Sequence, residues 1–423
     1  MSRLRGIALD VTPLRESREF RLLWAGDGIT AAGSQLTRVA AAFQVYELTG
    51  STLAVGLLGL VTMIPLFFGS ILGGAVADHF ERRHVIMLSQ LGGLVCALVL
   101  ALNAAAAHPQ TWLIFVVFFF SMGVYSLGVP ASRSAVQMLV QREHIPSATA
   151  LEAVLGSTAR LIGPVVAGVL IAWLGLGWTY VVDVVSFALC IALVSAMHPI
   201  AITGNDGVTL RAIGEGLRYL KSRAVLKGSF IADLIAMIFG MPVALFPALV
   251  DQRFDGNARV LGLLYAAPFA GSLVASATSG WARKVPRHGV ALCLAIVGWG
   301  IAITVFGLVN GLAISLLLLA IAGGADMVSG VFRQSILRMA TPPPMLGRME
   351  GVGMAVWTTG PALGDLEAGA VAAVTTVDTS IVIGGLACIA GIGVLAVAMP
   401  ALIAYNAHTT TPAGVPAAEP APG

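Results

Sequence analysis

Apolar residues run along the chain in long blocks, separated by short polar turns rich in Gly and Pro. A helix that crosses the hydrocarbon core of a bilayer needs about 20 mostly apolar residues. Lipid offers the backbone no outside partner, so each such block predicts a helix. The blocks predict twelve spans, at roughly 20–47, 52–78, 84–106, 111–140, 147–174, 178–197, 225–250, 260–282, 289–309, 312–338, 349–373 and 380–404. Several exceed the bilayer minimum, which tilt or protruding ends accommodate. The longest polar interval, 198–224, passes through Pro199 and a Gly204-Asn-Asp-Gly207 turn. It then places Leu210, Ile213, Leu217 and Leu220 at helical spacing with basic residues between them. This predicts an amphipathic helix on the inner membrane surface.

The resulting organisation is a cytoplasmic segment 1–19, a six-helix half 20–197, a linker 198–224, a second six-helix half 225–404 and a tail 405–423. The tail is rich in Thr, Pro and Ala, and disorder is expected there.

Composition narrows the function. Of the 423 residues 57% are apolar and 11% are charged, against about 25% charged in an ordinary soluble domain. That excludes a single soluble core and leaves little room for a catalytic domain. The sequence shows no phosphate loop, no metal-ligand cluster and no nucleophile–His–acid pattern, so the chain reads as neither an enzyme nor a cofactor or metal carrier. Cys96, Cys190, Cys293 and Cys388 all lie in apolar stretches, which argues against both disulfides and zinc. No block of like charge suggests nucleic acid. The charged N-terminus reads as a surface segment without a cleavable signal.

Charge placement predicts orientation. With both termini in the cytoplasm, 18 of the 24 basic residues fall on the inner side and only Arg253 and Arg259 on the outer side. Arg38, Arg133, Arg160 and Arg333 lie within spans. This bias predicts a multi-pass plasma-membrane protein.

The two halves also resemble each other. Val55-Gly-Leu-Leu-Gly59 recurs as Leu261-Gly-Leu-Leu-Tyr265, Asp27 falls on Asp233, Arg133 on Arg333, and Gly163-Pro164 on Gly360-Pro361. Ordered matches at an offset near 200 predict parallel repeats, a transporter architecture with its substrate site near mid-depth.

At this point the sequence resembles the major facilitator superfamily. Gly73-Gly74-Ala-Val-Ala-Asp78-His-Phe-Glu-Arg82-Arg83 looks like its signature after the second span, while the counterpart Gly280-Trp-Ala-Arg283-Lys284 carries Lys284 at the Asp position. Arg160-Leu-Ile-Gly163-Pro164-Val-Val-Ala167-Gly168 looks like the helix-5 signature of antiporter-type exporters, with Ala167 at one Gly position. Phe20-Arg21, Val129-Pro-Ala-Ser-Arg133-Ser-Ala and Pro344-Met-Leu-Gly-Arg348 are similar to the drug:proton antiporter-3 group, which includes siderophore exporters. The likeness covers about residues 18–404.

It implies an all-α polytopic membrane protein, with twelve transmembrane helices in two pseudo-symmetric halves. It implies secondary active efflux of amphipathic small molecules (drugs, siderophores or related metabolites) by proton antiport with alternating access. The partners would be substrate, protons and the bilayer, and the chain a monomer. A lipid or lysolipid translocator, or a siderophore exporter without multidrug activity, are the alternatives. The resemblance further implies a cytoplasmic latch of Gly74, Asp78, Arg82 and Arg83, with Arg133 and the start of span 11 as partners of Asp78.

Charged side chains inside spans are costly, so they normally face a cavity or a partner. Asp27, Thr30, Ser34, Gln35 and Arg38 lie near one face of span 1. Asp27 and Asp233 read either as proton carriers or as static members of an Arg-paired gate. Asp326 and Arg333, seven apart on span 10, read as a cavity wall or as a pair bridged to another helix. Glu152 and Arg160 share a face of span 5. There Arg160 either receives an anionic or catecholate-like group, tunes an acid, or pairs with Glu152 or an acid of span 1. Asp183, Asp365 and Glu367 complete the buried acids. Tyr125 and Trp357, with Phe118, Phe119, Met237, Phe239 and Met241, read as a greasy pocket or as packing. Gly163, Pro164 and Gly168 remove bulk and a backbone donor where helices must approach or bend.

Overall fold

A computed structural model describes residues 10–200 and 210–407, with the side chains of 70–78 and 210–213 outside that description. Segment 1–9, the Gly204–Gly207 turn and the tail beyond Ala407 therefore lie outside the described residues. Gly74 and Asp78 lie within a helix, but their side chains fall outside as well.

The described chain is helical. The helices are α1 (Thr12–Glu16), α2 (Arg18–Thr49), α3 (Thr52–His79), α4 (Arg82–Ala105), α5 (Thr111–Leu139), α6 (Ile145–Ser195), α7 (Leu210–Ser222) and α8 (Ala224–Phe239). They continue as α9 (Phe246–Phe254), α10 (Ala258–Ala277), α11 (His288–Leu308), α12 (Leu312–Ala340), α13 (Pro343–Val374), α14 (Val377–Ala398) and α15 (Pro400–Ile403). Nine helices among the described residues are long and apolar enough to cross a membrane. α2 and α13 are longer than most but more polar, because they carry Asp27 and Arg38, and Asp365 and Glu367.

Local chemistry sets the ends. The Ser17 hydroxyl accepts from the Phe20 N–H at 3.1 Å and opens α2, as N-cap residues do. Gly50, at φ 60, closes it in the left-handed conformation. Asp10 ties the entry segment down, accepting from the hydroxyls of Thr12 at 2.6 Å and Ser147 at 2.8 Å. Those two hydroxyls hold its carboxyl down at about 2.

Two predicted spans meet without a loop. Sequence patterning separates 147–174 from 178–197, whereas α6 runs through both and turns only at Gly175, at φ 82. One residue suffices because glycine reaches positive φ without strain. The opposite correction applies to 225–250, which patterning reads as a single span. That helix stops at Phe239 and resumes through a 3₁₀ turn, Val243–Leu245, into α9. Pro242 has no N–H to continue the ladder. The freed backbone groups find side chains instead. Trp299 Nε1 donates to Gly240 O at 2.8 Å, and Asp365 Oδ1 accepts from Ala244 N at 3.2 Å.

Contacts divide the chain into two units, 1–207 with 246–266, and 208–245 with 267–423. The division follows the linker except for Phe246–Ala266, which packs with the first unit although it follows the linker in sequence. In that unit α2 lies along α6, α3 along α5, and α4 against both α5 and α6. The segment 246–266 joins them through glycine. A Cβ on Gly168 would collide with Ala258 O, and one on Gly262 with Pro164 O, so these backbones touch directly. In the second unit α11 packs between α12 and α14, and α13 lies against α7 and α8. There a Cβ on Gly323 would meet Pro268 O, and one on Gly271 would meet Ala320 O. Small residues mark these closest helix contacts, large side chains such as Phe20, Tyr180 and Phe306 fill the interior, and others such as Leu102, Trp173 and Val397 are exposed, as a surface that meets lipid allows.

α7 is anchored to its unit. Glu215 pairs with Arg348 at 3.1 Å, Tyr219 Oη donates to Ala340 O at 3.3 Å, and Gly216 sits on Arg348 O. Its Gly216–Tyr219 side thus meets protein, while Leu217 is exposed.

Gly323→Val should destabilise the fold by about 1–3 kcal/mol, the usual cost of overpacking. Gly298→Ala, where a Cβ meets nothing within 4 Å, should leave the melting temperature in detergent unchanged or slightly raised. Equal melting temperatures for Gly323→Val and wild type would contradict the packing described.

Candidate functional site

In the first unit the polar stripe of α2 turns toward α5 and α6. Asp27 accepts from the Ser132 hydroxyl at 2.7 Å. Glu152 lies close enough to interact electrostatically with Asp27, and the cation that acts on Glu152 is Arg133. Glu152 is thus matched with Arg133 on α5, and the alternative in which Arg160 pairs with it finds no ion pair among the described residues. Thr30 spends its hydroxyl on its own helix, donating to Gly26 O at 3.1 Å. Gln35 lies against Gly163, whose missing Cβ lets α2 and α6 approach. Ser34 is half-buried beside it.

Arg38 is exposed and interacts electrostatically with Tyr125, Arg160 and Asp183. Asp183 is buried and already accepts from Thr37 Oγ1 at 2.5 Å and Ser186 Oγ at 2.9 Å. Patterning marks Asp183 as a charged position in a span but does not show its two hydroxyl donors. One of them, Ser186, stands three residues away on the same helix face.

The second unit solves the corresponding problem differently. Asp233 on α8 is fully buried and forms an ion pair with Arg333 on α12. The guanidinium of Arg333 also lies over the Trp357 ring, 5.9 Å from its centroid. Asp326 shares a helix with Arg333 but not its charge, because the guanidinium is directed at Asp233; Ser329 donates only to the Asp326 backbone O, at 2.8 Å. Asp233 Oδ2, Arg333 Nε and Trp357 Nε1 are buried without a hydrogen-bond partner among the described residues.

Two of the expected latch residues, Arg82 and Arg83, have partners among the described residues. Arg82 is buried and donates through Nε to Ser134 Oγ at 2.8 Å. Arg83 donates to Val194 O at 3.2 Å and Ser195 O at 2.7 Å, satisfying carbonyls at the end of α6. Among the aromatic candidates Tyr125 is exposed, Phe118 is buried in packing, and the Met237 side chain rests against Gly360.

The pattern of the family described as transmembrane secretion effectors matches residues 9–418. The chain belongs to this family of the major facilitator superfamily. It is 30% identical over 372 residues to the enterobactin exporter EntS of Escherichia coli O1:K1, covering 87% of this chain and 88% of that protein. The enterobactin exporter of Citrobacter koseri is also 30% identical, over 381 residues, covering 89% and 91%. Solved structures share the fold. A POT family transporter in complex with 5-aminolevulinic acid superposes with a TM-score of 0.72 at 12% identity, covering 91% of this chain and 97% of that one. A bacterial homologue of the iron transporter ferroportin, in an inward-facing state, gives a TM-score of 0.67 at 15% identity, covering 92% and 99%. This member of the secretion effector family is therefore a multi-pass membrane transporter of the major facilitator fold.

Removing one partner of the Asp233–Arg333 pair leaves a buried charge alone, at a cost of about 3–5 kcal/mol. Asp233→Ala and Arg333→Ala should each lower the melting temperature markedly. The double variant Asp233→Leu with Arg333→Met should recover most of the loss, and a double variant no more stable than either single would show that the pair is not what binds α8 to α12.

Proposed function

We propose that the chain exports amphipathic small molecules from the cytoplasm by proton antiport, with alternating access. Six helices in each sequence half make twelve crossings, counting α6 twice about Gly175 and α8 with α9 as one, and both termini are cytoplasmic. Export follows the family's secretory character and the enterobactin exporters among its relatives.

The observation that carries proton coupling is a difference between repeat-related acids. Asp233 is held by a guanidinium, which keeps its charge fixed. Asp27 is held by a neutral hydroxyl with another acid nearby, so it can exchange a proton without abandoning a cation. Asp27 is the proton carrier on this reading, and Asp233 with Arg333 is a structural gate. When Asp27 is neutral, Ser132 loses a charge-assisted acceptor, and its link between α2 and α5 weakens.

Proteoliposomes loaded with the purified chain and given an acidic lumen should accumulate enterobactin, or ethidium as a second probe, against its gradient. Asp27→Asn should reduce that accumulation at least tenfold. Accumulation indifferent to both the pH gradient and a protonophore would overturn the antiport.

A further inference from the structure

The two sequence halves carry the same loop with different charge. In the first, Asp78 and Glu81 stand beside Arg82 and Arg83. Both arginines are occupied within their unit, Arg82 by Ser134 Oγ and Arg83 by Val194 O and Ser195 O. The counterpart in the second half reads Gly280-Trp-Ala-Arg283-Lys284-Val-Pro-Arg287, with Lys284 at the Asp78 position and no acid. Arg283, Lys284 and Arg287 are all exposed, and none forms an ion pair or a side-chain hydrogen bond with a described residue. Between Gly256 and Met349 the single acid is Asp326, which forms no ion pair with a described residue either.

The backbone that carries these cations is fixed. A 3₁₀ turn, Ser279–Lys284, follows α10, and Val285 N closes it on Ala282 O at 3.1 Å. Ala407 N donates to Pro286 O at 2.9 Å, and Gly289 lies against Leu402 O, where a Cβ would collide. Three cations on a rigid turn repel one another with no acid between them, and an anion from outside relieves that repulsion.

Apolar surface adjoins the charge. A shallow cleft with about 190 Å³ of empty space opens between the end of α10 and α12. Ala275, Trp281 and Ala282 wall one side, and Met327, Val328 and Val331 the other. The polar residue in its wall, Ser279, donates its hydroxyl to Ser276 O at 2.8 Å. Trp281 is 46% exposed, although its ring also rests on Phe332 with centroids 5.9 Å apart. Leu273 and Val274, earlier on α10, are exposed and extend the apolar surface. Pockets that enclose a small molecule run to roughly 300–1,000 Å³, so this cleft suits a chain lying along it. An exposed Trp beside cations at the end of a span marks the bilayer interface.

We propose that this turn and cleft bind an anionic phospholipid, with its phosphate on Arg283, Lys284 and Arg287 and one acyl chain along the cleft beside Trp281. A phosphodiester offers oxygens to the guanidiniums and the ammonium together, and basic clefts between spans receive such head groups. On the topology proposed above, the lipid belongs to the inner leaflet. The cations of α7 lie at the same end of the unit, because Tyr219 Oη donates to Ala340 O at the end of α12. Arg218 and Lys221 of α7 are exposed but do not line the cleft, so they serve as the control.

The test uses the full chain in nanodiscs and reads Trp281 as the fluorescence lost on Trp281→Phe in each background. Brominated lipid quenches an indole that it touches. Brominated phosphatidylglycerol should quench the Trp281 component at about tenfold lower mole fraction than brominated phosphatidylcholine, since each cation at a membrane surface contributes about fivefold. Raised salt should narrow that gap. Arg283→Gln with Lys284→Gln should reduce the preference below about twofold, whereas Arg218→Gln with Lys221→Gln should leave it near the wild-type value. All four positions are exposed, so both double variants should keep the wild-type melting temperature. Equal quenching of wild type by the two lipids, or an equal loss of preference in the two double variants, would overturn the site. Millimolar glycerol phosphate should leave quenching by phosphatidylglycerol unchanged. If the soluble head group abolishes it, the cations serve a free anion and the lipid site is overturned.

Discussion

Within a bilayer there is no water to complete an unfinished hydrogen bond. That constraint makes the described chain helical, and it governs each place where the helical ladder fails. Gly240–Pro242 interrupts the helix that starts at Ala224, and the break is finished by an indole donor from Trp299 and a carboxylate acceptor from Asp365. The end of α6 is finished by Arg83. The same constraint decides how each buried acid is housed. Asp183 has two hydroxyls, Asp233 has a guanidinium, and Asp27 has a single hydroxyl.

The constraint also removes the ordinary drive for apolar side chains to turn inward. Lipid is as apolar as leucine, so helices gain nothing by hiding leucine from it. Close contact is what remains. Gly163, Gly168 and Gly262 in the first unit, and Gly271 and Gly323 in the second, let backbone meet backbone or side chain directly. This gives the helix-5 glycines a structural reason that holds whatever the cargo is.

The repeat and the site illustrate how duplicated sequence diverges in use. Asp27 and Asp233 correspond, as do Arg133 and Arg333. In one unit the arginine has gone to the acid, while in the other it has gone to Glu152 and a serine has taken its place. An acid locked to arginine stabilises, and an acid held by a hydroxyl remains free to change its charge.

Much of the fold is legible in the chain, since a run of about 20 apolar residues has few other uses. The repeat, the family signatures and the positions of ionisable groups inside spans follow from one-dimensional spacing. Pairing does not. Glu152 shares a helix face with Arg160, yet its cation stands on α5. Asp326 shares a face with Arg333, yet α8 supplies the partner. The interruption at Pro242 and the allegiance of Phe246–Ala266 to the first unit were likewise decided in three dimensions. The physical reason is the same in each case. Local sequence settles which segments can exist in lipid, because burial and backbone satisfaction act within one helix. Which charge meets which depends on how closely neighbouring helices approach, and that distance is set by glycines and side chains that lie far apart in the chain.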